Sequence, residues 1–177
     1  MNTLTIPKGC VFGSANPMWI GRAINVIQWV WSRDSDACYS HAGLFIDDRG
    51  TTLECLMTVK SQNFFEAYKG EKVIIAQPKA SVNAINLAVE SIRIHEGQFY
   101  PFWRLLFHMI PPLAKIGVLE RLVCSELVAK YEWLLGLRHR QYKGTNPDTL
   151  VDEWIRWKAF DVIFEGVLPQ ETGEDKL

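Results

Sequence analysis

The sequence predicts a single α+β domain, an antiparallel sheet packed against helices. Three observations carry that expectation. Short apolar runs at 8–13, 40–47, 51–57, 72–77 and 160–164 are bounded by Gly, Pro or Asp, the pattern of strands. Between them, apolar residues recur at helical spacing over 17–31, 82–92 and 123–135, and again beyond 147. The runs 40–47 and 51–57 lie close enough to form a β-hairpin. At 177 residues the chain can bury a full core without disulfide or metal staples. No repeat, low-complexity tract or linker divides it. The domain is read as 1–168, with 169–177 a polar, disordered tail.

Taken in order, Lys8-Gly9-Cys10-Val11-Phe12-Gly13 is the first strand. Asn16 caps a helix with Pro17 at its first position, and Ile20, Ala23, Ile24, Ile27 and Trp31 form its buried stripe. A polar loop then leads to the hairpin, whose turn is Asp47-Asp48-Arg49-Gly50. With an even connection Ile46 pairs with Thr51, His41 lies opposite Leu56 and Gly43 opposite Glu54. Glu54 is then diagonal to His41 on one face, with Gly43 leaving room between them. An odd connection would put Cys55 on that face instead. Gly50 favours the even register.

Lys72–Gln77 is a further strand ended by Pro78. Ser81 caps a helix with the stripe Val82, Ile85, Val89 and Ile92, and Gly97 follows its end. An aromatic segment, Phe99–Phe107, runs toward Pro111-Pro112 and reads as core or groove lining. The helix 123–135 carries Leu127, Val128, Tyr131 and Leu134 on one side and stops at Gly136. Asn146-Pro147 opens another helix with Leu150, Val151 and Trp154, and 160–164 is the closing strand.

Bulk composition removes several function classes. The net charge is −1, with acids and bases spread along the chain, so no basic stripe exists for nucleic acid. No run reaches the roughly 18 apolar residues of a membrane span, so no integral span is expected. The N-terminus has neither a basic region nor an apolar run of signal-peptide type, and a cytoplasmic location is expected. The four cysteines show no C-x-x-C pair and read as free thiols in a reducing compartment. Metal-ligand spacing is missing among the Cys and His residues, so neither metal nor other cofactor is expected.

The chemistry concentrates on three residues. Cys124 stands at a helix start, where unpaired N–H groups lower a thiol pKa and can hold an oxyanion. His41, flanked by the small residues Ser40, Ala42 and Gly43, can serve as its base. Glu54 is a carboxylate beside that base, suited to orient the ring and stabilise the imidazolium. A buried structural cysteine, a satisfied strand histidine and a solvent-facing glutamate are the plain readings of each alone. His139 reads as an exposed loop residue, His95 as a helix-end residue and His108 as core or groove lining.

The order Tyr39-Ser40-His41-Ala42-Gly43-Leu44 on a strand, a glutamate on the next, and Val123-Cys124-Ser125-Glu126-Leu127-Val128 on a later helix resembles the circularly permuted papain-like amidases. These are the YiiX/YaeF-like branch of the NlpC superfamily, related also to lecithin retinol acyltransferase. Gly97-Gln98-Phe99-Tyr100 and Asn146-Pro147-Asp148-Thr149-Leu150 are similar to further family segments, and the resemblance runs over most of 8–165. It implies a permuted papain-like fold of NlpC type, with Cys124 as nucleophile, His41 as general base and Glu54 as the orienting residue. By the same analogy it implies Tyr39 as a contributor to the oxyanion hole. The implied activity is amide hydrolysis on a peptide-like or lipid-like substrate. Lipid acyl transfer or thioester hydrolysis at the same site, and a binding module without turnover, are the alternatives. Family members often carry a signal peptide and act on envelope material; its absence here fits an intracellular or phage-borne protein.

Overall fold

Strand alternation and helix caps account for most of the architecture, seen in a computed structural model that describes residues 5–15, 38–55, 58–99, 124–139 and 145–169. The helix expected over 17–31, the aromatic stretch 100–107, the prolines at 111–112, His108 and the tail from 170 lie outside the described residues. Among the described residues six strands form one antiparallel sheet. They are β1 (Val11–Ser14), β2 (His41–Phe45), β3 (Thr51–Cys55), β4 (Val59–Asn63), β5 (Lys72–Pro78) and β6 (Phe160–Val167), in the spatial order β4-β3-β2-β1-β5-β6. The helices among the described residues are α1 (Phe64–Ala67), α2 (Val82–Arg93), α3 (Cys124–Leu134) and α4 (Pro147–Arg156). The expected α+β class is observed.

The even hairpin register holds. Gly43 pairs with Glu54, Leu44 with Leu53 and Phe45 with Thr52. The turn is tied by Asp47, whose Oδ1 accepts from the N–H groups of Arg49 and Thr51, both at 2.9 Å. Gly50 closes it at φ +86°, a left-handed value that only glycine adopts cheaply. Period-two alternation then sends the side chains of the central strands to two separate cores. Val11, Ala42, Leu44, Leu53, Ile74 and Ala76 face the buried stripes of α2, α3 and α4. Phe12, Phe45, Val73 and Ile75 face Ile6, Phe64 and Tyr68 on the opposite side. Coverage of both faces explains why all five residues of β2 are buried.

The caps expected for α2 and α4 are present. Ser81 Oγ accepts from Ala84 N–H at 3.2 Å, and Asn146 Oδ1 from Thr149 N–H at 2.7 Å; such caps contribute about 1 kcal/mol each. Two expectations need correction. Val82 is 72% exposed, because the first residue of α2 projects beyond the sheet while Ile85, Ala88, Val89 and Ile92 cover it. Leu134 is likewise partly exposed at the end of α3. The pair β4 and α1 had no expected counterpart. Val59-Lys60-Ser61-Gln62-Asn63 is a polar edge strand, and edge strands carry little apolar alternation.

A buried ionic cluster couples α3 to α4. Arg138 Nη1 donates to Glu132 Oε2 at 3.0 Å and to Glu153 Oε2 at 2.5 Å, and Nη2 donates to Thr145 Oγ1 at 3.1 Å. Trp154 Nε1 donates to the other Glu132 oxygen at 2.5 Å. Burial pushes the Glu132 carboxyl up to about 7 despite these donors. One cation thus holds two carboxylates away from water. Arg138→Met would leave them uncompensated, and a buried pair broken on one side costs about 3–5 kcal/mol. A fall of that size in unfolding free energy is expected from denaturant titration; an unchanged midpoint would mean the cluster contributes little.

Candidate active site

His41 is the first residue of β2, and the chain entering it is held from two sides. Asp148, in the first turn of α4 and 6% exposed, accepts from the N–H groups of Cys38 and Tyr39 at 2.9 and 3.2 Å. Ser40 N–H donates to the Ser14 carbonyl at 3.0 Å, extending the β1–β2 ladder past its end. The His41 ring lies stacked on Tyr68, with centroids 6.4 Å apart, and edge-on to Phe12 at 6.3 Å. Backbone and ring are therefore both fixed.

Glu54 meets His41 on the diagonal that the hairpin register implies. His41 Nε2 stands 2.8 Å from Glu54 Oε2 in a fully buried contact. Gly43 makes the approach feasible. A Cβ there would lie 2.4 Å from the Phe12 ring and 2.8 Å from Glu54 Cγ. Thr52 Oγ1 lies 2.5 Å from Glu54 Oε1, and the Tyr68 hydroxyl donates to Oε2.

Cys124 opens α3 and is half-buried. Its thiol hydrogen-bonds His41. The backbone N–H groups of Ala42 and Ser125 also reach the sulfur. Burial by itself would push the Cys124 thiol up; the His41 ring and the two N–H donors outweigh it and hold the thiol below its ordinary range. Burial would likewise depress His41, but the thiolate and Glu54 outweigh it and push the imidazole up to about 10. Glu54, buried yet held by His41, Thr52 and Tyr68, stays below the usual carboxylate range. The three shifts run the same way, each favouring the charged form of its group.

The other cysteines lack this setting. Burial pushes Cys10 up to about 12 and raises Cys55 as well. Cys38 is exposed. His95 lies between Gln98 and Lys130, with Nδ1 3.0 Å from Gln98 Oε1 and Nε2 2.7 Å from the Lys130 ammonium, and His139 is exposed. Tyr39 is not at the thiol through its hydroxyl. Its ring packs beside Gly13 and its hydroxyl donates to Glu165 Oε1 on β6 at 3.4 Å, with the Lys72 ammonium 5.8 Å from the ring. The hydroxyl of Tyr39 is thus engaged with Glu165, and its oxyanion role rests on the resemblance alone. Thr52, Tyr68 and Asp148 were not picked out from the sequence. Thr52 could have been, since it lies two residues before Glu54 on the same face; Tyr68 and Asp148 arrive only through tertiary packing.

No family model matches the chain, and no curated protein matches it. Among solved structures it is similar to the one described as metalloprotein yiiX from Escherichia coli O157:H7, DUF1105. The chain has the fold of YiiX. The TM-score is 0.56 over 95% of this chain and 91% of that one, at 16% sequence identity. The likeness concerns architecture alone. Among the described residues no group of three or more His, Cys, Asp or Glu side chains could hold a metal ion. Among the same residues no helix is long and apolar enough to cross a membrane.

Two measurements follow from this geometry. Iodoacetamide at pH 7 should alkylate Cys124 well ahead of Cys10 and Cys55, with a midpoint below the 9.0 of an ordinary thiol; equal rates at the three would contradict the ion pair. Gly43→Ala forces a methyl against the Phe12 ring and should lower stability by about 1–3 kcal/mol, read from thermal unfolding.

Proposed function

We propose that this chain is a cysteine-dependent hydrolase of the circularly permuted papain-like type, cleaving an amide bond through a thioester acyl-enzyme. The observation that carries the reading is the hydrogen-bonded series Cys124, His41, Glu54, with a depressed thiol and an elevated imidazole. Two findings support the fold assignment: the likeness to YiiX and the chain order in which the histidine hairpin precedes the cysteine helix.

In this reading the Cys124 thiolate adds to the substrate carbonyl carbon, and the oxyanion is held by N–H groups at the start of α3. The C–N bond then breaks, and the amine leaves with the proton carried by the His41 imidazolium. A thioester remains on Cys124. Water attacks it while His41 takes the water proton, and the thiolate departs from the carboxylic acid product. Glu54 keeps the ring oriented and its charge balanced in both half-reactions.

An activated ester such as p-nitrophenyl acetate, followed by intact-mass analysis, tests the assignment. Acetylation of Cys124 and a burst of p-nitrophenol are expected in the wild type. Cys124→Ala and His41→Ala should each lower turnover by at least about 10³-fold. Undiminished acetylation in Cys124→Ala, at Cys55 for example, would overturn it.

A further inference from the structure

We infer that Tyr68 and Thr52 act as positioning residues for the proposed nucleophile: their hydroxyls keep Glu54 an ionised acceptor, and through His41 they set how readily Cys124 loses its proton. This rests on the proposed hydrolase reading and assigns a function to two residues outside the Cys-His-Glu series.

The geometry is unusually one-sided. Glu54 has 0% exposure, yet three donors converge on it. His41 Nε2 and the Tyr68 hydroxyl share Oε2, and Thr52 Oγ1 addresses Oε1 at 2.5 Å. The Thr52 hydroxyl has one proton and two acceptors in reach; the Gln62 carbonyl is at 3.3 Å, so the shorter contact to Glu54 holds the proton. A carboxylate accepts only, whereas a protonated carboxyl must donate one bond. A site filled with donors therefore selects the charged form, and a buried carboxylate without them would protonate. Ser14 Oγ, 1% exposed, also approaches the Tyr68 hydroxyl without reaching hydrogen-bond geometry, leaving the phenol proton for Glu54.

Among the described residues, the charged and titratable groups that face Glu54 are few. They are His41 from β2, Tyr68 from the turn after α1 and Lys60, its register partner on β4, whose side chain is exposed. Cys124, at the start of α3, acts on it through the His41 ring. Exposure leaves Lys60 screened by water, so the two hydroxyls are the buried groups free to tune the pair. Removing one raises the proton affinity of Glu54, weakens the imidazolium and lets the thiol keep its proton to higher pH.

Tyr68→Phe keeps the ring that packs on His41, Phe12 and Phe64 and deletes only the hydroxyl. The test is the pH profile of Cys124 alkylation by iodoacetamide, which needs no substrate. The midpoint should rise by about one unit, so that the rate on the acid limb falls about tenfold while the alkaline plateau is unchanged. Thr52→Val, nearly isosteric, should move it the same way and serves where Tyr68→Phe does not fold. A purely structural role would lower the melting temperature and leave the midpoint in place. Profiles of folded Tyr68→Phe and Thr52→Val that superimpose on the wild type overturn this inference alone. A wild-type Cys124 that titrates as an ordinary thiol overturns the nucleophile assignment, and this inference with it.

Discussion

The 2.8 Å contact between His41 Nε2 and Glu54 Oε2 is the constraint on which the rest of the centre depends. It places a negative charge where water cannot reach, and that charge has to be balanced within the protein. Two hydroxyl donors and the His41 ring supply the balance. The imidazolium in turn makes a thiolate at Cys124 affordable at the end of the sheet. Each of the three titratable groups is pushed by burial toward its neutral form; His41 favours the charged forms of both Cys124 and Glu54, and they in turn favour its own.

The fold supplies this contact by economical means. A four-residue turn sets the hairpin register, the register sets the diagonal, and Gly43 empties the space that the diagonal crosses. On the other side of the sheet, α3 presents Cys124 at its first residue, where N–H groups lack helical partners. The helix is anchored far from the thiol: Arg138 ties its C-terminal half to α4, and Asp148 at the start of α4 holds the backbone leading into His41. Thiol and imidazole are thus referenced to the same pair of helices.

Legibility in the sequence followed the range of the interactions. Ser81, Asn146, Gly97 and Gly136 mark helix ends because caps and left-handed stops are local chemistry. The hairpin register was readable because a one-residue slip would exchange every face of the strand. The strand β4 was not, since its Lys60, Ser61 and Gln62 side chains carry no apolar period, and its place is owed to pairing with β3. The partner of the Tyr39 hydroxyl was not legible either, since Glu165 lies 126 residues away on β6 and meets it only through the sheet.

By itself, then, the sequence pointed to most of the elements, to their caps and, through the favoured hairpin register, to the diagonal of His41 and Glu54. Those depend on residues a few positions apart and on the two periods, 2 and 3.6, that a backbone imposes. The tertiary structure alone decided that Cys124 faces His41, that Tyr68 and Thr52 saturate Glu54, and that Arg138 and Asp148 hold both halves in place. These contacts join segments that no local pattern relates. Their energies arise from burial and charge compensation, which exist only once the chain has closed around them.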